Sequence, residues 1–294
     1  MQISANGTQI EVEDHGPTSG EPLVLIMGLG MQLLGWHEDF VDRLVDRGFR
    51  VIRFDNRDIG LSQVFDHLGV PNVAAMAFKS LLGLPVHSPY GLPEMAADTV
   101  GLLDALGIAK AHVCGASMGG MIAQQLAVRH PARVKSLTLM MTSSGARRLP
   151  GPSLKMRNAM MTRPPSAAPF DSIVDHYVQL YRMIGSPGFP SSDEYLRQRL
   201  TRSVRRAYRP HGVARQFAAI IADGDRSALL PRIQAPTAVL HGREDPLVPV
   251  AAGHDLATKI PGATLEVIEG WGHDLPPPLW PRLVQAIETA ASRA

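Results

Sequence analysis

Residues 111–120, Ala111-His112-Val113-Cys114-Gly115-Ala116-Ser117-Met118-Gly119-Gly120, decide how the whole chain is read. Residues 111–116 are short and largely apolar, as in a strand covered on both faces, and residues 118–130 read as a helix stopped by Pro131. Between them stands Gly115-Ala116-Ser117-Met118-Gly119, a G-x-S-x-G pattern. A strand that passes straight into a helix needs a strained turn, and small residues beside the serine let backbone segments pass closely. The turn lifts the serine hydroxyl clear of the sheet and sets it at a helix N-terminus, where unpaired N–H groups favour developing negative charge. A serine that only caps a helix in a glycine-rich turn would share the pattern. The strand before it, the helix after it and the additional Gly120 favour a nucleophile.

Outward from this turn, strands alternate with helices. Residues 8–14 alternate faces and pair with 2–4 across Asn6-Gly7, a hairpin turn signal. Residues 22–27 form a continuously apolar strand, and 50–54 form another. Between these two strands, Phe40, Val41, Leu44 and Val45 have helical spacing, with Gly48 in the C-cap place. Residues 92–106 read as a helix with Pro93 in its first turn and Gly107 past its last. Downstream, 134–141 is a strand, and 237–240, 250–260, 264–268 and 279–291 continue as strand, helix, strand and helix. This alternation predicts an α/β fold with a mainly parallel central sheet and right-handed crossovers. From Gly145 to Ile233 the rhythm breaks, and prolines at 150, 152, 164, 165, 169, 187 and 190 cut the segment into short helical pieces. The expected organisation is therefore a core in two parts, 1–144 and 234–294, interrupted by a helical cap or lid over 145–233.

A serine hydroxyl is a poor nucleophile without a base, and the base needs an acid to orient it. In this architecture the chain order is Ser, then Asp or Glu, then His. His273, within Gly270-Trp271-Gly272-His273-Asp274, follows the last predicted strand. Asp245, within His241-Gly242-Arg243-Glu244-Asp245-Pro246, follows the strand before it, so both fall at the sheet edge that carries Ser117. Glu244 and Asp274 are the alternative acids; Asp274 is too near His273 in sequence to orient its ring easily. His37 and His254 fall on amphipathic helices, His130 at a helix end and His211 in the insertion, where solvated or capping roles are expected. An oxyanion hole needs two backbone donors. Met118 supplies one, and Leu29, in Met27-Gly28-Leu29-Gly30 after the first central strand, is the choice for the other. A glycine-rich turn shaped only by packing would look the same there.

These motifs, with Arg53-Phe54-Asp55-Asn56-Arg57-Asp58-Ile59-Gly60-Leu61-Ser62, make the chain resemble the α/β-hydrolase superfamily, and within it the branch of serine esterases like aclacinomycin methylesterase. The resemblance covers nearly the whole chain. It implies an α/β-hydrolase fold, a triad of Ser117, Asp245 and His273, an oxyanion hole at Leu29 and Met118, and a supporting, unreactive role for 55–62. Many relatives begin the oxyanion loop with His-Gly where this chain has Met27-Gly28, a change that leaves the backbone donor in place. The apolar stretch 65–90 is longer than in the methylesterase and is expected to wall the pocket.

Composition narrows the alternatives. The chain has 29 Lys and Arg against 27 Asp and Glu, a net charge of +2, which gives no long-range pull on nucleic acid. With 45% apolar and 19% charged residues among 294, it has the composition of a globular protein and not of a disordered one. One cysteine, Cys114, permits no intrachain disulfide and is compatible with the reducing cytoplasm; the start of the chain has no secretory pattern, and no apolar run approaches membrane-spanning length. No phosphate loop, dinucleotide fingerprint or metal-ligand spacing is present, so no cofactor or metal is expected. The arginines at 197, 199, 202, 205, 206 and 209 are expected on a solvated helix face, and the methionines, including 118, 121, 140, 141, 156, 160 and 161, as core filler with some lining a pocket. The expected function is a serine carboxylic-ester hydrolase acting on a small-molecule ester, without nucleic-acid or membrane partners. The same residues could serve lactone or carbon–carbon hydrolysis, perhydrolysis or acyl transfer, and a ligand-binding protein on this fold would need the pocket without the chemistry.

Overall fold

A computed structural model describes residues 1–162, 164 and 167–294, so Pro165 of the proline series lies outside the described residues, as does the side chain of Met161. The strands are β1 (Gln2–Ala5), β2 (Thr8–His15), β3 (Glu21–Ile26), β4 (Phe49–Phe54), β5 (Ala111–Ala116), β6 (Val134–Met140), β7 (Thr237–Gly242) and β8 (Thr264–Ile268). The helices are α1 (Glu38–Val45), α2 (Val73–Leu81), α3 (Leu92–Ala105), α4 (Met118–Arg129), α5 (Leu154–Met161), α6 (Phe170–Ile184), α7 (Asp193–Arg206), α8 (Pro210–Asp223), α9 (Ala251–Lys259) and α10 (Trp280–Ala291). The strands form one sheet in the order β1-β2-β4-β3-β5-β6-β7-β8. The first two ladders are antiparallel and the rest parallel.

Both faces of the sheet are covered, which is why its central strands are apolar without alternation. Val24 and Ile26 of β3 pack with Leu102, Ile122 and Leu126 of α3 and α4, while Leu23 and Leu25 pack with Phe40, Leu44, Leu283 and Ile287 of α1 and α10. Cys114 is fully buried on the second side, a small apolar filler as expected. Strand order reverses between β3 and β5, so the connections leaving their C-terminal ends diverge and open a crevice. Gly28-Leu29 leaves one of these ends and Ser117 the other.

Sequence and structure differ at four places. The segment 145–233, expected to be short helical pieces, carries α6, α7 and α8 of 15, 14 and 14 residues, because its prolines stand between these helices or in their first turns. Residues 65–90, read as an undivided apolar stretch, contain α2, whose start is capped by Asn72 accepting the Ala75 N–H at 3.0 Å. His37 sits at the N-cap of α1 and accepts the Asp39 N–H at 3.2 Å, where a place along the helix face was expected. The arginines of α7 do not share one solvated face. Arg197 and Arg202 lie outside, paired with Asp175 and Glu38, whereas Arg206 turns inward to Asp55 Oδ2 at 2.6 Å and Arg199 donates to the Gly35 carbonyl at 2.8 Å. The reason is that α7 packs against the loops after β3 and β4, where the Gly35 carbonyl and the buried Asp55 need donors.

The four helices α5–α8, between β6 and β7, are fastened to the core by buried polar groups. Arg215 of α8 bonds both carboxylate oxygens of Asp58, at 2.8 and 2.7 Å, and Tyr90 donates to the same carboxylate at 2.7 Å. Both ion-pair partners are wholly buried, so removing one strands the other's charge.

A close backbone-to-backbone contact lies where α4 crosses the end of β3. A Cβ on Gly119 would stand 2.0 Å from the Ile26 carbonyl oxygen, and one on Gly115 would stand 2.3 Å from the Gly119 carbonyl oxygen. Backbone sits on both sides of each contact, so neither can give way. Gly119→Ala is expected to cost about 3 kcal/mol or more, lowering the melting temperature by about 6 °C or more, as thermal unfolding by circular dichroism would read.

Candidate active site

Ser117 is the N-cap of α4, with φ 55° and ψ −121°, a left-handed conformation that a non-glycine residue adopts only where its surroundings hold it. Its N–H donates to the Met140 carbonyl at 3.0 Å, and its carbonyl accepts from Thr142 Oγ1 at 2.6 Å and from the Gly120 N–H at 2.9 Å. These bonds hold the turn and leave the hydroxyl pointing away from the sheet.

His273 Nε2 lies 3.0 Å from Ser117 Oγ, and its Nδ1 lies 2.7 Å from Asp245 Oδ2. Asp245 Oδ1 accepts the Leu247 and Val248 N–H groups, both at 2.8 Å. A carboxylate surrounded by three donors acts as acceptor throughout, so the imidazole proton belongs on Nδ1 and the Nε2 lone pair faces the serine hydroxyl. Asp245 and His273 are both buried, at 5% and 8% exposure, so little water competes for these bonds. The three residues singled out in the sequence are therefore brought into one hydrogen-bonded chain. The alternative acids go elsewhere: Glu244 accepts the Gly270 N–H at 2.6 Å, and Asp274 accepts from Ser186 Oγ. Burial pushes the Asp274 carboxyl above its usual range.

Leu29 and Met118 flank the serine. A Cβ added to Gly28 would meet Ser117 Cβ at 3.1 Å, which places the 27–30 loop directly against the nucleophile candidate. Neither the Leu29 nor the Met118 N–H has an acceptor among the described residues, whereas Gly30 donates to Gln216 Oε1 at 2.9 Å. The segment 55–62 supports this loop: Asn56 donates to the Met27 carbonyl at 2.9 Å, and Asp55 accepts the Leu33 N–H at 2.7 Å.

Several supporting residues gave no signal in the sequence. Gln216 of α8 fixes the Gly30 N–H and donates to the Arg57 carbonyl at 2.9 Å, from 186 positions along the chain from Gly30. Ser186 accepts the Gly272 N–H at 3.0 Å while donating to Asp274, and the Ile184 carbonyl accepts the His273 N–H at 2.7 Å, so the end of α6 sets the histidine loop. His241 lies beneath Asp245 and donates from Nε2 to the Val248 carbonyl at 2.7 Å. Nothing in the local sequence around His241 marks this role, because the Val248 carbonyl and Asp245 reach it only through the fold of the 242–248 loop.

Above the serine opens a cavity of about 540 Å³. Met27, Met121, Met141, Met160, Leu180 and Phe217 line it, with few polar groups, among them Arg157, Arg199 and Asp274. Ala77 of α2 is part of the wall, in keeping with the role expected of 65–90. A volume of this size accommodates a drug-sized apolar molecule. Among the described residues, no three of His, Cys, Asp and Glu gather as a metal site requires.

Residues 21–276 match the family model described as alpha/beta hydrolase fold. The chain is 30% identical over 289 residues to rhodomycin D methylesterase DauP of Streptomyces sp. (strain C5), a match that covers 90% of this chain and 88% of that protein. It is 29% identical over 278 residues to a 2-hydroxy-6-oxononadienedioate/2-hydroxy-6-oxononatrienedioate hydrolase of Pseudomonas sp., covering 91% and 86%. The enol-lactonase from Burkholderia xenovorans LB400 superposes with a TM-score of 0.71 at 23% identity, over 99% of this chain and 100% of that one, a likeness of fold.

Burial holds the His241 imidazole below its ordinary pKa, so it is neutral when folded and takes up a proton more readily when unfolded. Its contribution to stability is present above about pH 6.5 and is lost as pH falls below that toward its lowered value. Urea unfolding of the parent is expected to lose midpoint between about pH 7 and pH 5 more steeply than that of His241→Gln, which removes this titration.

Proposed function

The chain belongs to the α/β-hydrolase fold family and is a hydrolase, and from that footing we propose that it is a serine carboxylic-ester hydrolase acting on small to medium apolar esters. One observation carries the reading: the bonded chain Ser117–His273–Asp245 ends beside two unspent N–H groups at the floor of an apolar cavity. In this reading 1–144 and 234–294 form the catalytic core, and 145–233 forms the cap that closes the cavity.

Ser117 Oγ attacks the ester carbonyl while His273 Nε2 takes its proton, and Asp245 holds the ring and stabilises the imidazolium. The carbonyl oxygen becomes an oxyanion between the Leu29 and Met118 N–H groups, at the positive end of α4. As the tetrahedral intermediate collapses, His273 returns the proton to the leaving alcohol and an acyl-enzyme remains on Ser117. Water, deprotonated by His273, repeats the attack, releasing the acid and restoring the serine. The apolar walls favour uncharged acyl groups and keep bulk water from the developing charge.

Release of p-nitrophenol from a chain-length series of p-nitrophenyl esters tests the reading. The parent is expected to turn over esters beyond acetate, with rate falling once the acyl group outgrows the cavity. Ser117→Ala is expected to keep its fold and lose on the order of 10⁴-fold or more in kcat/KM, and Asp245→Asn about 10⁴-fold in kcat through the wrong imidazole tautomer. A folded protein silent across the series, or undiminished turnover in Ser117→Ala, would sink it. Silence in the folded parent would shift weight to lactone, carbon–carbon or acyl-transfer chemistry by the same residues.

A further inference from the structure

The outer surface beside the cavity carries the most exposed leucines among the described residues. Phe78, Leu81 and Leu82 recur at i, i+3 and i+4 from the outer face of α2 to its C-cap, and they are 63%, 82% and 58% exposed. Leu84, just beyond the helix, is 51% exposed, and Leu154, at the start of α5, is 74% exposed. The two segments adjoin: a Cβ on Gly83 would lie 3.5 Å from Arg147 Nη1, and Ala77 and Pro152 share the cavity wall. Ala77, Arg157 and Thr162 line the cavity and are also exposed, so its mouth opens between these segments. Apolar side chains this exposed, four in one short segment and a fifth on the segment beside it, are uncommon and mark a surface that meets something else.

The charge around this face is one-sided. Residues 67–93 contain no Asp or Glu, and neither do residues 105–170. Lys79, Arg147, Arg148, Lys155 and Arg157 are exposed on these segments, and none of their side chains forms an ion pair among the described residues, although the Arg147 backbone N–H bonds the exposed Asp225. Elsewhere, exposed Arg182, Arg197, Arg202, Arg243 and Arg282 each pair with an acid, whereas exposed Arg43, Lys110 and Arg232 form no ion pair but stand apart from one another in the sequence. Exposed leucines and a phenylalanine ringed by unpaired cations suit a surface with a negative outer layer and an apolar interior.

We propose that the outer face of α2 and the 147–155 segment form a peripheral docking surface for an anionic lipid bilayer, which presents the cavity mouth to the membrane. No helix among the described residues is long and apolar enough to cross a membrane, so the association is at the interface. The proposal departs from the expectation of no membrane partner, because the exposed apolar face forms only when residues 78–84 and 147–155 fold beside each other. A second copy of the chain is disfavoured, because a two-fold contact through this face would set two cationic rims against each other. A protein partner is disfavoured by the side chains themselves: protein interfaces draw their binding energy from Trp, Tyr and Arg, and leucine is under-represented there.

Co-sedimentation of the full chain with phospholipid vesicles tests the proposal, and its readout does not depend on ester turnover. Partition onto phosphatidylcholine vesicles containing about a third phosphatidylglycerol is expected to exceed that onto pure phosphatidylcholine by about tenfold or more in about 0.1 M salt, and to fall in about 1 M salt. The triple variant Phe78→Ser, Leu81→Ser, Leu82→Ser is expected to lose about tenfold in partition while melting like the parent. If that variant does not fold, Lys79→Glu with Arg148→Glu carries the same expectation through charge alone. No sedimentation with anionic vesicles, or equal sedimentation with both kinds, would overturn the proposal. So would a dimer in analytical ultracentrifugation that the serine substitutions abolish, or vesicle binding replaced by selective binding of an acidic protein.

Discussion

Everything at the site depends on how closely the start of α4 can pass the end of β3. Gly115 and Gly119 carry no side chain because backbone occupies the space on both sides of them, and that contact lets Ser117 stand at φ 55° with its hydroxyl free. The same closeness brings the 27–30 loop against the serine, since Gly28 leaves β3 at the level where α4 begins. Position of the nucleophile candidate and position of the two N–H donors are therefore one packing event. The reversal of strand order between β3 and β5 supplies the open space above it.

Around this centre the helices between β6 and β7 act as struts for the core. α8 reaches the 27–30 loop through Gln216 and the 55–62 segment through Arg215. The end of α6 takes the His273 N–H, and α7 delivers Arg206 to Asp55. These polar bonds are buried, and each unsatisfied member would cost the desolvation of its group, so the insertion's placement is coupled to the geometry of the loops below it. The apolar cavity then lies where struts and core fail to touch, with methionines and leucines filling its walls.

Much of this was legible before any coordinates. The strand at 111–116, the serine turn and the helix after it stand as read, because each is set by a few adjacent residues: apolar runs, a glycine pair, a stopping proline. Asp245 and His273 could be placed on one edge because every parallel strand delivers its following loop to the same end of the sheet. α2 is not marked in the sequence because its run of alanines, other apolar residues and a single lysine shows little polar contrast around the helix.

The sequence by itself determined the sheet, the order of the site residues along it and the chemistry they can perform, since these follow from local periodicity and chain connectivity. Only the tertiary structure decided which insertion residues face the site. Gln216, Ser186, Arg199 and His241 gain their roles from neighbours far away in the chain, and no local pattern encodes which face of a helix will meet them. It alone also brought the leucines of α2 beside the cations of 147–155, because that surface exists only where two distant, acid-free segments fold against each other.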